Sequence, residues 1–171
     1  GATNDLETLS LSSNSAANTV ATITTDDVDT AAVEITGDQN LTVTSALGNE
    51  ILTVTSTAFT GDLTLTGGTG DMTYTLGSGA DSITASTGDD TITAGAGADE
   101  ITLGTGSDSV SGGAGADTII ETSGGLTSAD TISGGDGADT LSISDASTVV
   151  DADFTSITSV ETLTQGATNG A

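Results

Sequence analysis

GGTGDMTYT (67–75), LGSGADSIT (76–84), ASTGDDTIT (85–93), AGAGADEIT (94–102), LGTGSDSVS (103–111) and GGAGADTII (112–120) follow one another without a slip. Glu121 to Gly124 break the frame, which resumes with GLTSADTIS (125–133) and GGDGADTLS (134–142). A period of nine over eight rows is the signature of a repeat architecture, and it decides the fold before any single residue does.

Each column of the nonad has a physical reason. Column four is Gly in every row except the seventh, where Ser128 stands. Glycine there permits positive φ and close approach of backbone to backbone. Column six is Asp in seven rows: Asp81, Asp90, Asp99, Asp108, Asp117, Asp130 and Asp139. Column eight is apolar throughout: Tyr74, Ile83, Ile92, Ile101, Val110, Ile119, Ile132 and Leu141. Columns seven to nine read polar–apolar–polar in most rows, the period of a half-buried strand. Each nonad is thus predicted to be a six-residue glycine-rich turn followed by a three-residue strand.

Two nonads make one coil of 18 residues, and coils stack at the strand spacing of ~4.8 Å. Alternate rows then share an edge. One edge carries Asp90, Asp108 and Asp130; the other carries Asp81, Asp99, Asp117 and Asp139. Carboxylates ~5 Å apart repel by roughly 3 kcal/mol at an effective dielectric of 20. A bare ladder of them is unstable, and a divalent cation between neighbours reverses the sign. Carbonyls freed by the glycine turns can complete the six to eight oxygens that calcium takes.

The pattern G-G-x-G-x-D-x-U-x resembles the RTX nonapeptide repeat; GGAGADTII and GGDGADTLS match every fixed column. The resemblance implies an all-β fold, a right-handed parallel β-solenoid (a calcium β-roll) over 67–142, with Ca2+ held between adjacent turns. It implies that the column-six carboxylates and the carbonyls of Gly77, Gly79, Gly95, Gly97, Gly113 and Gly115 are the ligands. The first row departs, with Met72 in column six and Asp71 displaced to column five, so no full site is expected there. Row 125–133 departs through its missing central Gly. Glu121–Gly124 are expected to loop out between two coils. Asp71, Asp89 and Glu100, off the column, read as solvent-facing charge.

Eighteen of the 24 glycines lie within 67–142, so the composition shifts sharply at residue 67. Upstream, short apolar–Thr units recur at Leu41–Thr44, Leu52–Thr55, Leu63–Thr66 and Met72–Thr75, with earlier candidates at Leu9–Leu11, Val20–Ile23 and Val33–Ile35. Short strands at such steps predict an irregular, calcium-poor β-solenoid over 1–66. The Thr side chains read as solvent-facing strand residues. Segment 143–171 reads as terminal or linking, its Phe154, Ile157, Val160 and Leu163 compatible with a solenoid corner or a brief helical turn. Leu6-Glu7-Thr8-Leu9 is echoed by Val160-Glu161-Thr162-Leu163, and GATN occurs at 1–4 and 166–169. The chain begins at Gly1 rather than Met. It is expected to be a processed product or one module of a longer array.

Composition removes whole classes of function. The chain has no Lys, Arg, His or Cys, and 25 acidic residues give a net charge of −25. Nucleic-acid binding lacks the cations that displace counterions. Soft-metal sites, Ser–His or Cys–His nucleophiles and Lys Schiff bases lack their side chains. No apolar stretch is long enough for a membrane-spanning helix. High net charge with few aromatics also marks disordered chains, but the regularly spaced Val, Ile, Leu and Thr argue for order. The expectation is a non-enzymatic structural module of a bacterial surface layer, adhesin or filament outside the cell. Its partners are calcium and, through open solenoid ends and edges, copies of itself. By the resemblance it leaves the cell unfolded by type I secretion and folds on meeting calcium. The alternative is the C-terminal RTX domain of a secreted hydrolase, a protease or lipase. A carboxylate-based glycosidase is disfavoured by the absence of an aromatic sugar platform.

Overall fold

The computed structural model describes residues 8–24, 31–49, 51–122, 126–144 and 149–166. It is a parallel β-solenoid in which each coil gives one strand to each of two eight-stranded sheets. The first sheet holds β1 (Thr8–Ser13), β3 (Ala31–Gly37), β5 (Ile51–Thr55), β7 (Thr73–Thr75), β9 (Thr91–Ala96), β11 (Ser109–Ala114), β13 (Thr131–Asp136) and β15 (Ile157–Thr158). The second holds β2 (Asn18–Val20), β4 (Leu41–Val43), β6 (Leu63–Thr66), β8 (Ser82–Thr84), β10 (Glu100–Thr102), β12 (Thr118–Glu121), β14 (Thr140–Ile143) and β16 (Thr162–Gln165). Every pairing is between parallel strands one coil apart. Among the described residues no helix is long and apolar enough to cross a membrane.

The column-eight residues build the core. Tyr74, Ile92, Val110 and Ile132 stack in register along the first sheet. Ile83, Ile101, Ile119 and Leu141 do the same along the second. All eight are buried. Alternation makes this work: in β6 Leu63 and Leu65 point inward and Thr64 outward. Full burial of such a side chain is worth roughly 1.5–3 kcal/mol, so a narrow aliphatic column suffices where aromatic payload is scarce. The strand candidates upstream of residue 67 all carry or border strands, and both sheets run through that residue without a break.

Two local readings change, and in a third both open alternatives are found. On the edge of Asp99 the glycine-rich part of the nonad is not all turn: β9, β11 and β13 are six residues long because Gly95, Gly113 and Gly135 stay paired while bending the chain at φ +110 to +112°. The turn shrinks to columns four to six. Secondly, Glu121 is not looped out; it ends β12, buried opposite Ile143, and Thr122 donates its hydroxyl to the Leu103 carbonyl. The remainder of that insertion, 123–124, lies outside the described residues, as do Leu6, Glu7 and both GATN copies apart from Gly166. Finally, segment 149–166 contains both alternatives: a 3-10 turn at Asp151–Phe154, then a further coil through β15 and β16.

Candidate metal centre

Two edges join the sheets. The outgoing edge, from first sheet to second, carries Asp81, Asp99, Asp117 and Asp139 at the ends of the turns that follow β7, β9, β11 and β13. The return edge, from second sheet to first, carries Asp90, Asp108 and Asp130, with Met72 in the equivalent place of the first row. The seven carboxylates are thus sorted as the nonad arithmetic requires. All are buried, none more than 3% exposed.

One oxygen of each carboxylate is held by the backbone of the preceding coil. The Leu63 N–H donates to Asp81 Oδ1, Asp81 N–H to Asp99 Oδ1, Asp99 N–H to Asp117 Oδ1 and Asp117 N–H to Asp139 Oδ1, all at 2.8–2.9 Å. On the return edge Met72, Asp90 and Asp108 donate in the same way to Asp90, Asp108 and Asp130. These bonds fix each side chain over the coil before it. The spacing of the sequence does not disclose them. The series runs one step further, to Glu161 Oε2, which accepts the Asp139 N–H at 2.8 Å. Glu161 follows Asp139 by 22 residues, the step that separates Asp117 from Asp139. That interval was the signal by which it could have been found.

The second oxygen behaves differently on the two edges. On the outgoing edge Asp81, Asp99, Asp117 and Asp139 each bury Oδ2 with no hydrogen-bond partner. A buried carboxylate oxygen left so is costly, and the cost is met by a proton or a cation. Its surroundings are oxygen-rich. A methyl on Gly112 would collide with both Asp117 Oδ2 and the Gly134 carbonyl oxygen; one on Gly134 would meet Asp139 Oδ2 and the Ser159 carbonyl. At Asp117 and Asp139 carboxylate and carbonyl therefore face a gap that glycine leaves open; in the rows of Asp81 and Asp99 the same column carries the buried Leu76 and Ala94. Gly77, Gly95 and Gly113 stack one above another here, as do Gly79, Gly97 and Gly115, each carbonyl beneath the next α-carbon. The Gly77 carbonyl also accepts the Ala96 N–H at 2.9 Å. Among the described residues no three acidic side chains converge on one point. A cation on this edge would draw on main-chain carbonyls as well as carboxylates, a donor set of hard oxygens that suits calcium.

Burial governs the ionisation of these groups. It pushes the Asp81 carboxyl up to about 7, against the Leu63 N–H and with the Asp99 and Asp62 charges adding. It pushes Asp99 and Asp108 up to about 6, the backbone hydrogen bond again opposing and neighbouring ladder charges adding. Asp90 and Asp117 are raised for the same first reason.

Asp71, Asp89 and Glu100 are exposed, yet two of them are not idle. Asp71 Oδ1 accepts the Asp89 N–H and Asp89 Oδ1 the Ser107 N–H, each one coil later, at 2.8 Å. The departure at Met72 also has a cause. Its sulfur accepts from the Gly68 N–H at 3.2 Å and from the Tyr74 hydroxyl at 3.0 Å. A methyl on Gly67 would collide with that hydroxyl. This row spends its glycine on housing the tyrosine rather than on opening a gap before a carboxylate.

Residues 75–110, 94–120 and 125–142 match the family model of the RTX calcium-binding nonapeptide repeat (4 copies). The matched segments contain all seven column-six aspartates and begin after Met72. No curated protein and no solved structure matches the chain.

Proposed function

The chain carries RTX calcium-binding nonapeptide repeats on an all-β parallel solenoid, and from that premise we propose that it is a calcium-gated structural module of an extracellular bacterial assembly: a surface layer, adhesin or filament. The observation that carries the reading is the column of buried, unpartnered Oδ2 atoms at Asp81, Asp99, Asp117 and Asp139.

Calcium, when bound, supplies the positive charge that no side chain of this sequence can. The chain's own part is positional. The backbone N–H of each coil aims the carboxylate of the next; the glycine column keeps side chains out of the gap; the aliphatic column holds the coils in register. Without the metal, a chain of net charge −25 opposes its own compaction. With it, binding free energy becomes folding free energy. Such a switch suits a protein that leaves the cell unfolded and folds where calcium is plentiful. The reading assigns no catalytic residue, since the buried acids of the repeat are occupied in bracing it.

The test is far-UV circular dichroism together with small-angle scattering, in calcium and in EGTA. Calcium should raise the β signal and shrink the radius of gyration, and EGTA should reverse both. The same compact state in EGTA would refute calcium gating.

A further inference from the structure

We propose that the two edges of the solenoid are chemically unlike: the outgoing edge takes calcium, and the return edge closes on hydrogen bonds alone. This rests on the calcium reading above and departs from the symmetric repeat, in which both edges would be loaded.

On the return edge the second oxygen of two of the three carboxylates, Asp90 and Asp130, finds a donor inside its own turn. Asp90 Oδ2 accepts the Ser86 N–H at 3.4 Å. Asp130 Oδ2 accepts the Thr127 N–H at 2.7 Å and the Thr127 hydroxyl at 3.2 Å. In the first row the carboxylate is gone altogether, and Met72 sulfur takes the corresponding amide of Gly68. Among the described residues no carboxylate oxygen of this edge is buried without a partner, whereas four on the outgoing edge are.

The rest of the turn agrees. Column three of the return edge is Thr in all four rows, Thr69, Thr87, Thr105 and Thr127. The Thr87 hydroxyl donates to the Thr69 carbonyl at 3.0 Å, and Thr87 bridges to Thr105 in the next coil. Hydroxyls and amides here occupy the oxygens that a cation would need. Asp71 and Asp89 tie down two further amides from outside. The outgoing edge has Ser or Ala in column three of three rows, Ser78, Ala96 and Ala114, with the exposed Asp136 in the fourth, and Ala80, Ala98, Ala116 and Ala138 in column five. It has paired positive-φ glycines in three successive rows, at 95 and 97, 113 and 115, and 135 and 137; the return edge has single ones, Gly88 and Gly106. One edge leaves the second carboxylate oxygen of every row without a partner; the other pairs it at Asp90 and Asp130.

The experiment compares three full-length chains: native, Asp99→Asn/Asp117→Asn/Asp139→Asn, and Asp90→Asn/Asp108→Asn/Asp130→Asn. Asn keeps an oxygen for the backbone N–H of the preceding coil, so both variants retain the ladder. Bound calcium is counted by equilibrium dialysis, and folding is followed by circular dichroism. At saturating calcium the return-edge variant should bind as many ions as the native chain, although its folding midpoint moves to higher calcium, because Asn turns an N–H toward the Ser86 and Thr127 amides that the second carboxylate oxygens accept. The outgoing-edge variant should lose most of the bound calcium, or fail to respond to it. A return-edge variant that loses as many ions as the outgoing-edge one would overturn the asymmetry while leaving calcium gating intact. A native chain that binds no calcium would overturn the reading on which it rests, and the asymmetry with it.

Discussion

Asp117→Asn should stabilise the metal-free chain and destabilise the calcium-loaded one. Asp117 is 1% exposed and sits between Asp99 and Asp139 in the outgoing column. Its Oδ1 accepts the Asp99 N–H, and its Oδ2 has no partner. Two charges one coil apart, ~4.8 Å, repel by about 3 kcal/mol at an effective dielectric of 20. Asp117 has two such neighbours. At pH 8 Asp99, pushed up to about 6, is ionised. Halving the sum for solvent screening leaves about 3 kcal/mol relieved when the charge is removed. The amide keeps an oxygen for the Asp99 N–H, and its nitrogen can donate to the carbonyl that faces the Gly112 gap. In calcium the balance inverts, because a charged ligand is lost; one site saturated a hundredfold above its dissociation constant is worth about 2.7 kcal/mol.

The assay has two arms. In calcium, urea unfolding should shift to a lower midpoint by about 1–3 M, given a slope of about 1–3 kcal/mol per molar. In EGTA at pH 8, refolding driven by trimethylamine oxide, which strengthens effective burial, should need less osmolyte than for the native chain. Asp117→Ala separates charge from hydrogen bonding. It also strands the buried Asp99 N–H, costing about 1–3 kcal/mol relative to Asn in both arms. If Asp117→Asn loses as much stability in EGTA as in calcium, the side chain contributes through its hydrogen bond and packing, and the charge argument is wrong.

Acid should substitute for calcium. Asp81 and Asp99 have folded values of about 7 and 6 against an ordinary 3.8, so the metal-free fold binds their protons more tightly than the unfolded chain does. The resulting stability is complete below about 3.8 and is lost as pH rises through 6 to 7; in EGTA the β signal should therefore grow between pH 8 and pH 5, and a flat or falling signal would contradict this. Gly97→Ala should be severe, by about 3 kcal/mol or more, since its φ is +148° and a methyl would strike the Gly79 carbonyl. Gly70→Ala, with nothing within 4 Å of the added methyl, should change the urea midpoint little; comparable losses at the two positions would discredit the stacking geometry.

The aliphatic column and the coil length were legible because the period of nine is repeated without a slip from 67 to 120. One periodic signal placed Ile83, Ile101 and Ile119 in the core and sorted the aspartates onto two edges. The destination of each carboxylate oxygen was not legible. Asp90 and Asp99 occupy the same column, and what separates them is a local donor: the Ser86 amide reaches one, and nothing reaches the second oxygen of the other. Such differences arise from the path of the turn rather than from residue type in the column. The six-residue strands were missed for a related reason. Glycine is read as a breaker, but Gly95 and Gly113 pair with each other across coils while bending the chain. Glu161 was missed because the coil step lengthens from 18 to 22 after the insertion, which carries the ladder past the last recognisable nonad.

The absence of Lys, Arg and His from the sequence makes the buried acids more consequential than their number implies. A buried carboxylate in most proteins can be neutralised by a neighbouring cation of the same chain. Here the agents available are backbone dipoles, uncharged side-chain donors such as the Thr127 hydroxyl, protons and ions from solution. Backbone N–H groups take one oxygen of every ladder carboxylate, and on the return edge donors within the turn take the second oxygen of Asp90 and of Asp130. On the outgoing edge they stop short, four times in succession. At Asp81 and Asp99 protons can satisfy that oxygen only on the acid side of about 6 to 7. On the proposed reading, the fold is completed at neutral pH from outside the chain, by an ion that accepts hard oxygen ligands. That reading ties its stability to the calcium content of the compartment in which it finds itself.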